Sequence, residues 1–236
     1  MAIYLDYNAS TPLLREVMEE MIYAYTEIIG NSDSRTHQFG TTAQKYVREK
    51  RKEIATIIGV DPSELIFTSG STESNNMAIL GMVKWALANG KNHIVTTSIE
   101  HKAILEPLRK LEREGFAVDY INPKENGRID AQELLSKVTE KTALVSVMFA
   151  NSETGIIQPV NEIGLELKKR GVYFHIDATQ ALGKLNEAIR NTSYDMMSFT
   201  AHKIGGPQGI GALVIRYDKD FNRPPIEPLM YGGPQE

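Results

Sequence analysis

The chain has 236 residues, 26 of them basic and 30 acidic, for a formal net charge of −4; 42% are apolar and none is Cys. That is enough apolar material for a sizeable core, and mild acidity without clustered Lys and Arg speaks against a primary nucleic-acid binder. The lack of Cys excludes disulfides, thiolate metal sites and a Cys nucleophile within these residues.

The opening residues Met1-Ala2-Ile3-Tyr4-Leu5-Asp6 lack the basic start and apolar core of a signal peptide. The longest apolar run, 143–150, is too short to span a bilayer. A soluble cytoplasmic protein without a membrane partner is the expectation.

In chain order, Ala43, Val47, Ile54 and Ile58 fall at helical spacing in a Lys- and Glu-rich stretch. A short buried strand is expected at 65–68, then a helix over 72–89. Strands at 93–97, 116–121, 143–149 and 172–176 alternate with helices at 101–114, 130–137 and 160–169, with a turn at Asn126-Gly127. Two further strands, 196–199 and 211–215, close the series. The strands read as continuous apolar runs, the pattern of a sheet covered on both faces. Strands alternating with helices predict a mainly parallel α/β sheet.

Four segments at strand ends could carry chemistry. Thr68-Ser69-Gly70-Ser71-Thr72-Glu73 turns from strand to helix with free N–H groups and hydroxyls, which suits an anion such as phosphate. The alternative is plain helix capping by Ser71 or Thr72; a P-loop is excluded because Gly-Lys-Ser/Thr is missing. Asp177 follows the strand Phe174-His175-Ile176, where a buried carboxylate needs a cationic partner or several donors. A protonated pyridine nitrogen would serve; a helix cap is the alternative. Lys203 follows Phe199-Thr200-Ala201-His202 and precedes a Gly-rich turn. A partly desolvated amine there could condense with an aldehyde; an exposed lysine in a turn is the alternative. His101 follows another strand end and could stack on a ring or move protons, or be structural. Together, a phosphate seat, an acid for a ring nitrogen, an amine for an aldehyde and a stacking imidazole are what pyridoxal 5′-phosphate (PLP) requires. No metal site is expected.

The ordered set resembles the cysteine desulfurases of the class V aminotransferase family, PLP enzymes of fold type I. The likeness runs over 4–236. Tyr4-Leu5-Asp6-Tyr7-Asn8-Ala9-Ser10-Thr11-Pro12 is similar to the family's opening motif. Phe67-Thr68-Ser69-Gly70-Ser71-Thr72-Glu73-Ser74-Asn75 is similar to its phosphate turn. Thr97-Ser98-Ile99-Glu100-His101, His175-Ile176-Asp177-Ala178-Thr179-Gln180 and Ser198-Phe199-Thr200-Ala201-His202-Lys203 are similar to its remaining motifs.

The resemblance implies a seven-stranded sheet flanked by helices, with 1–236 forming the PLP-binding large domain. Residues 1–30 would pack with a small C-terminal domain that lies outside this sequence. Lys203 and His101 would be catalytic: Lys203 would hold the cofactor and move the Cα proton, and His101 would stack on the ring. Asp177 would pair with the ring nitrogen and Gln180 with the phenolic oxygen. Ser71, Thr72, Thr200 and His202 would hold the phosphate, and Asn8, Ala9 and Ser10 would lie near the substrate. Ser152 stands where the family has an Asn that touches the cofactor, and Ser32 where a proline is usual. The implied activity removes sulfur from L-cysteine, leaving L-alanine and a persulfide for iron–sulfur cluster assembly or thio-modification. The implied partners are a second copy of the chain and a sulfur-acceptor or scaffold protein. Two alternatives remain: a selenocysteine lyase or other β-elimination enzyme, and a non-catalytic homologue that partners a full-length desulfurase.

Overall fold

The computed structural model describes residues 2–233. Among these residues seven strands form one sheet: β1 (Leu65–Thr68), β2 (His93–Thr97), β3 (Ala117–Ile121), β4 (Thr142–Met148), β5 (Tyr173–Asp177), β6 (Met196–Thr200) and β7 (Gly211–Ile215). Their order is β1-β7-β6-β5-β4-β2-β3. β7 pairs antiparallel with both β1 and β6, and the other pairings are parallel. The mainly parallel sheet is therefore as expected, with one reversed strand.

Successive residues of the central strands feed two separate cores. Leu144, Met196 and Leu213 enter one, beside Ile79, Ile104 and Leu108 of the helices on that face. Val145, Val147, Phe174, Ile176, Met197 and Val214 enter the other, beside Ile163 and Leu167. Both faces are covered, so both alternating sets are largely apolar, with Ser146, His175 and Ser198 as buried polar members. β3 is the exception: it lies at the sheet edge, its Ala117 is exposed, and only Ile121 is fully buried.

Eight α-helices surround the sheet among the described residues: α1 (Arg15–Glu27), α2 (Gln38–Ile58), α3 (Ser71–Leu80), α4 (Val83–Ala88), α5 (Lys102–Arg113), α6 (Ala131–Lys137), α7 (Val160–Arg170) and α8 (Asn186–Arg190). α2 is stopped by Gly59, whose φ of 76° is left-handed and suits glycine.

Three features differ from expectation. The helix expected over 72–89 breaks after α3, because the Gly81 carbonyl accepts from Glu227 N at 3.0 Å instead of continuing the helix ladder. A Cβ at Gly81 would also meet Ile226 Cγ2 at 2.4 Å. α1 was not among the expected elements; none of its residues is fully buried and it has no side-chain cap, although Val17, Met21 and Ala24 recur at helical spacing and form a half-buried stripe. α8 is a single short turn packed against α2 and lacks a period to read. The described part of the expected 1–30 segment is stitched to the turn after β6. Thr11 N donates to His202 O at 2.8 Å and Leu14 N to Gly205 O at 2.9 Å.

Gly211 sets how closely the first turn of α3 approaches β6 and β7. A Cβ there would meet Phe199 O at 2.5 Å and Gly70 Cα at 2.7 Å. Gly211→Ala should therefore cost about 1–3 kcal/mol and lower the melting temperature by several degrees. An unchanged melting curve would contradict this close-approach role.

Candidate active site

The carboxyl ends of the parallel strands open on one side of the sheet, where ligands bind in such folds. There a cleft of about 570 Å³ gathers Asn8 and Ala9 from the N-terminal segment, Ser71 and Thr72 from α3, and His101 at the start of α5. Ser152, Asp177, Gln180, His202 and Lys203 complete the expected set along its wall. Ser10 and Thr200 are not among its lining residues. Thr200 is buried beneath and holds His202, with its Oγ1 3.0 Å from His202 Nδ1.

The first turn of α3 decides between capping and ligand seat. Its N-cap is Gly70, with no side-chain cap. Ser71 and Thr72 are the first helical residues, so neither caps α3. Glu73 of the first turn accepts from Ser69 N at 2.6 Å, and among the described residues no side chain caps the N–H groups of Ser71 and Thr72, which suit an anion.

Asp177 is the last residue of β5 and is buried. Its Oδ1 accepts from Thr179 N at 3.0 Å, and its Oδ2 accepts from Asn75 Nδ2 at 2.8 Å. Two residues earlier, His175 lies in a chain across three strands, with Nδ1 2.9 Å from Ser146 Oγ and Nε2 2.9 Å from Ser198 Oγ. Complete burial pushes the His175 imidazole down to about 4 despite the Asp177 charge, so it is neutral near pH 7.

Lys203 is half-buried in a 3₁₀ turn, Ala201–Lys203. Its Nζ donates to Asn8 O and, at 2.8 Å, to Ala9 O. Partial burial first, and the Lys184 charge second, hold its amine below the ordinary lysine range. Gln180 Nε2 donates to the same Asn8 carbonyl at 2.9 Å. His101 does the bland work as well: its Nδ1 caps α5 by accepting from Ala103 N at 3.1 Å, while the exposed ring faces the cleft. Ser152 Oγ donates to Glu153 Oε1 at 3.2 Å.

Sequence reasoning passed over several residues here. Asp6, Met148, Glu153 and Thr179 also line the cleft; Thr179 was visible as the neighbour of Asp177, the others only in three dimensions. Behind the wall lie Asn75 and Glu100. Glu100 is 5% exposed. Its Oε1 accepts from Thr97 Oγ1 at 2.6 Å and Met148 N at 2.9 Å, while Oε2 has no partner. Burial above all, with a further push from Asp177, raises its carboxyl from 4.5 to about 8.

That shift has a sign. Between about pH 4.5 and 8 the folded state retains a proton that the unfolded state has released, so Glu100 makes stability fall as pH rises through this window. Glu100→Gln keeps the acceptor and removes the titration. The melting temperature of the variant minus that of the wild type should grow from about pH 5 to about pH 9. Parallel melting curves across that range would contradict a neutral buried Glu100.

The sequence profile of the aminotransferase class-V family matches residues 3–235. The chain belongs to the aminotransferase class-V family. Among class-V relatives, cysteine desulfurase IscS of Rickettsia felis is 47% identical over 234 residues, covering 99% of this chain and 56% of the relative. A solved NifS-like protein superposes with a TM-score of 0.92 at 40% identity, over all of this chain and 63% of that one. The structure of SspA in complex with cysteine gives 0.90 at 37% identity, over 99% of this chain and 66% of the other. The chain thus spans a little over half the length of this curated class-V relative and about two thirds of these solved ones.

Proposed function

We propose that the chain forms the cofactor-binding part of a PLP-dependent cysteine desulfurase. The observation that carries this reading is the meeting of three groups in one cleft: the Lys203 amine, the Asp177 carboxylate and the uncapped N-terminus of α3. An amine, a buried acid and an anion seat fit an aldehyde, a pyridine nitrogen and a phosphate. The similarity to cysteine desulfurases, one of them solved with cysteine, supports L-cysteine as substrate.

Bound PLP supplies an electron sink that makes the Cα–H of an attached amino acid acidic. The residues of the chain do the rest. The lowered Lys203 amine would be the group for the aldehyde, and as a free amine it would take the Cα proton. Asp177, held by two donors, would present its carboxylate to a ring N–H. The α3 N–H groups with Ser71, Thr72 and His202 would seat the phosphate, Gln180 and Ser152 would offer polar contacts to the ring substituents, and His101 would stack on the ring. Asn8, Ala9 and Ser10 lie on the segment where substrate would enter. Removal of sulfur needs a thiolate acceptor, and these residues contain no Cys, so that thiol would come from outside this sequence. The same reading places the protein in the cytoplasm as a homodimer that passes sulfur to an acceptor or scaffold protein for iron–sulfur or thio-modification chemistry. Exposed Ile3, Leu5, Ile22 and Ile29 offer apolar surface for such contacts.

The test is a titration of the purified chain with PLP. Yellow absorbance that saturates, and that L-cysteine shifts while L-serine does not, is expected. A colourless protein indifferent to PLP would contradict the proposal.

A further inference from the structure

We propose that Asn75 is the positioning residue that aims Asp177 at a ring nitrogen, an inference that rests on the cofactor reading above. Asn75 lies on the inward face of α3 with Ser74, Ala78 and Ile79, and it is fully buried. Its one side-chain hydrogen bond among the described residues runs from Nδ2 to Asp177 Oδ2 at 2.8 Å. Its Oδ1 has no partner. A residue needed only to fill this space would be apolar, like Ala78 and Ile79 beside it. An amide here leaves a buried carbonyl unpaired, which is unfavourable; the bond to Asp177 is what offsets it.

The geometry gives that bond a purpose beyond packing. Thr179 N holds Asp177 Oδ1 at 3.0 Å and Asn75 holds Oδ2, so the carboxylate plane is pinned from both sides and cannot rotate away from the cleft. Ser71 and Thr72, which open α3, line the same cleft. Asn75 lies four positions after Ser71 on the helix, a rise of about 6 Å. One rigid helix thus carries both the anion seat and the clamp on the acid, and fixes the two ends of the site relative to each other. Asn75 touches neither the cleft nor a ligand, so it acts through Asp177.

A probe that lacks the ring nitrogen separates aiming from packing. PLP and its 1-deaza analogue, with CH in place of the nitrogen, are titrated by absorbance against wild type, Asn75→Leu and Asn75→Asp. The Leu variant is close in shape and removes the unpaired carbonyl; the Asp variant keeps the shape and replaces the donor by a like charge, so a fold intolerant of one is probed by the other. Melting curves check folding. The expected result is a PLP dissociation constant raised about tenfold by Asn75→Leu and further by Asn75→Asp. Binding of the deaza analogue should change by less than about twofold in Asn75→Leu. Equal losses for both probes would make Asn75 a structural tie and overturn the proposal, as would unchanged PLP binding in a wild type that binds it. A wild type that binds neither probe contradicts the cofactor reading itself and this inference with it.

Discussion

Lys203→Ala should give a folded protein that stays colourless with PLP, with affinity reduced at least on the order of 100-fold. Among the described residues Lys203 is the one lysine that lines the cleft, along with Asp177 and the N-terminal residues Asn8 and Ala9. Its burial and the neighbouring Lys184 charge lower its proton affinity, which enlarges the fraction able to react at neutral pH. Folding should survive. The segment 8–14 loses the two contacts from Nζ but keeps the bonds from Thr11 N and Leu14 N to the backbone of the same turn. A melting temperature within a few degrees of wild type is expected. A yellow Lys203→Ala protein would mean that another lysine holds the aldehyde.

Asp177→Ala should be the more damaging change to the fold. The carboxylate is 5% exposed and is the acceptor for two donors, Asn75 Nδ2 and Thr179 N. Its loss leaves the fully buried Asn75 amide without its partner at a cost of about 1–3 kcal/mol, seen as a fall of several degrees in melting temperature. PLP should bind at least about tenfold more weakly, for want of a partner to the ring nitrogen. The change also has a remote signature. The Asp177 charge helps to raise Glu100, so the decline of stability with rising pH assigned to Glu100 should be shallower in Asp177→Ala. Differential scanning at several pH values, with and without PLP, reads all three effects. Unaltered stability with unaltered PLP affinity would remove Asp177 from the site.

Much of this was legible in the residues themselves, and where it was not, the reason is physical. Most strands from His93 to Ile215 announced themselves because a sheet covered on both faces favours apolar side chains at successive positions, and the structure feeds Leu144 and Val145 into opposite cores. Asp177, His101 and Lys203 stood out because each breaks such a run at its carboxyl end. α1 was missed although Val17, Met21 and Ala24 recur at helical spacing, because no capping residue marks its start, and the break at Gly81 was missed because a contact with Glu227, 146 residues away, ends the helix. The role of Ser71 and Thr72 could not be separated from capping until the cap proved to be Gly70. Asn75 and Glu100 were passed over for a different reason. Each lay inside a motif already read for its neighbours, and what marks it is burial and an unpaired atom, which exist only in three dimensions.

The central claim is that the Nζ of Lys203 meets the aldehyde of PLP. Borohydride reduction of the PLP-loaded chain, followed by proteolysis and mass mapping, tests it at a single atom. One pyridoxyl phosphate group is expected, on the peptide containing Lys203. Label on Lys184, label spread over surface lysines, or none at all would contradict it.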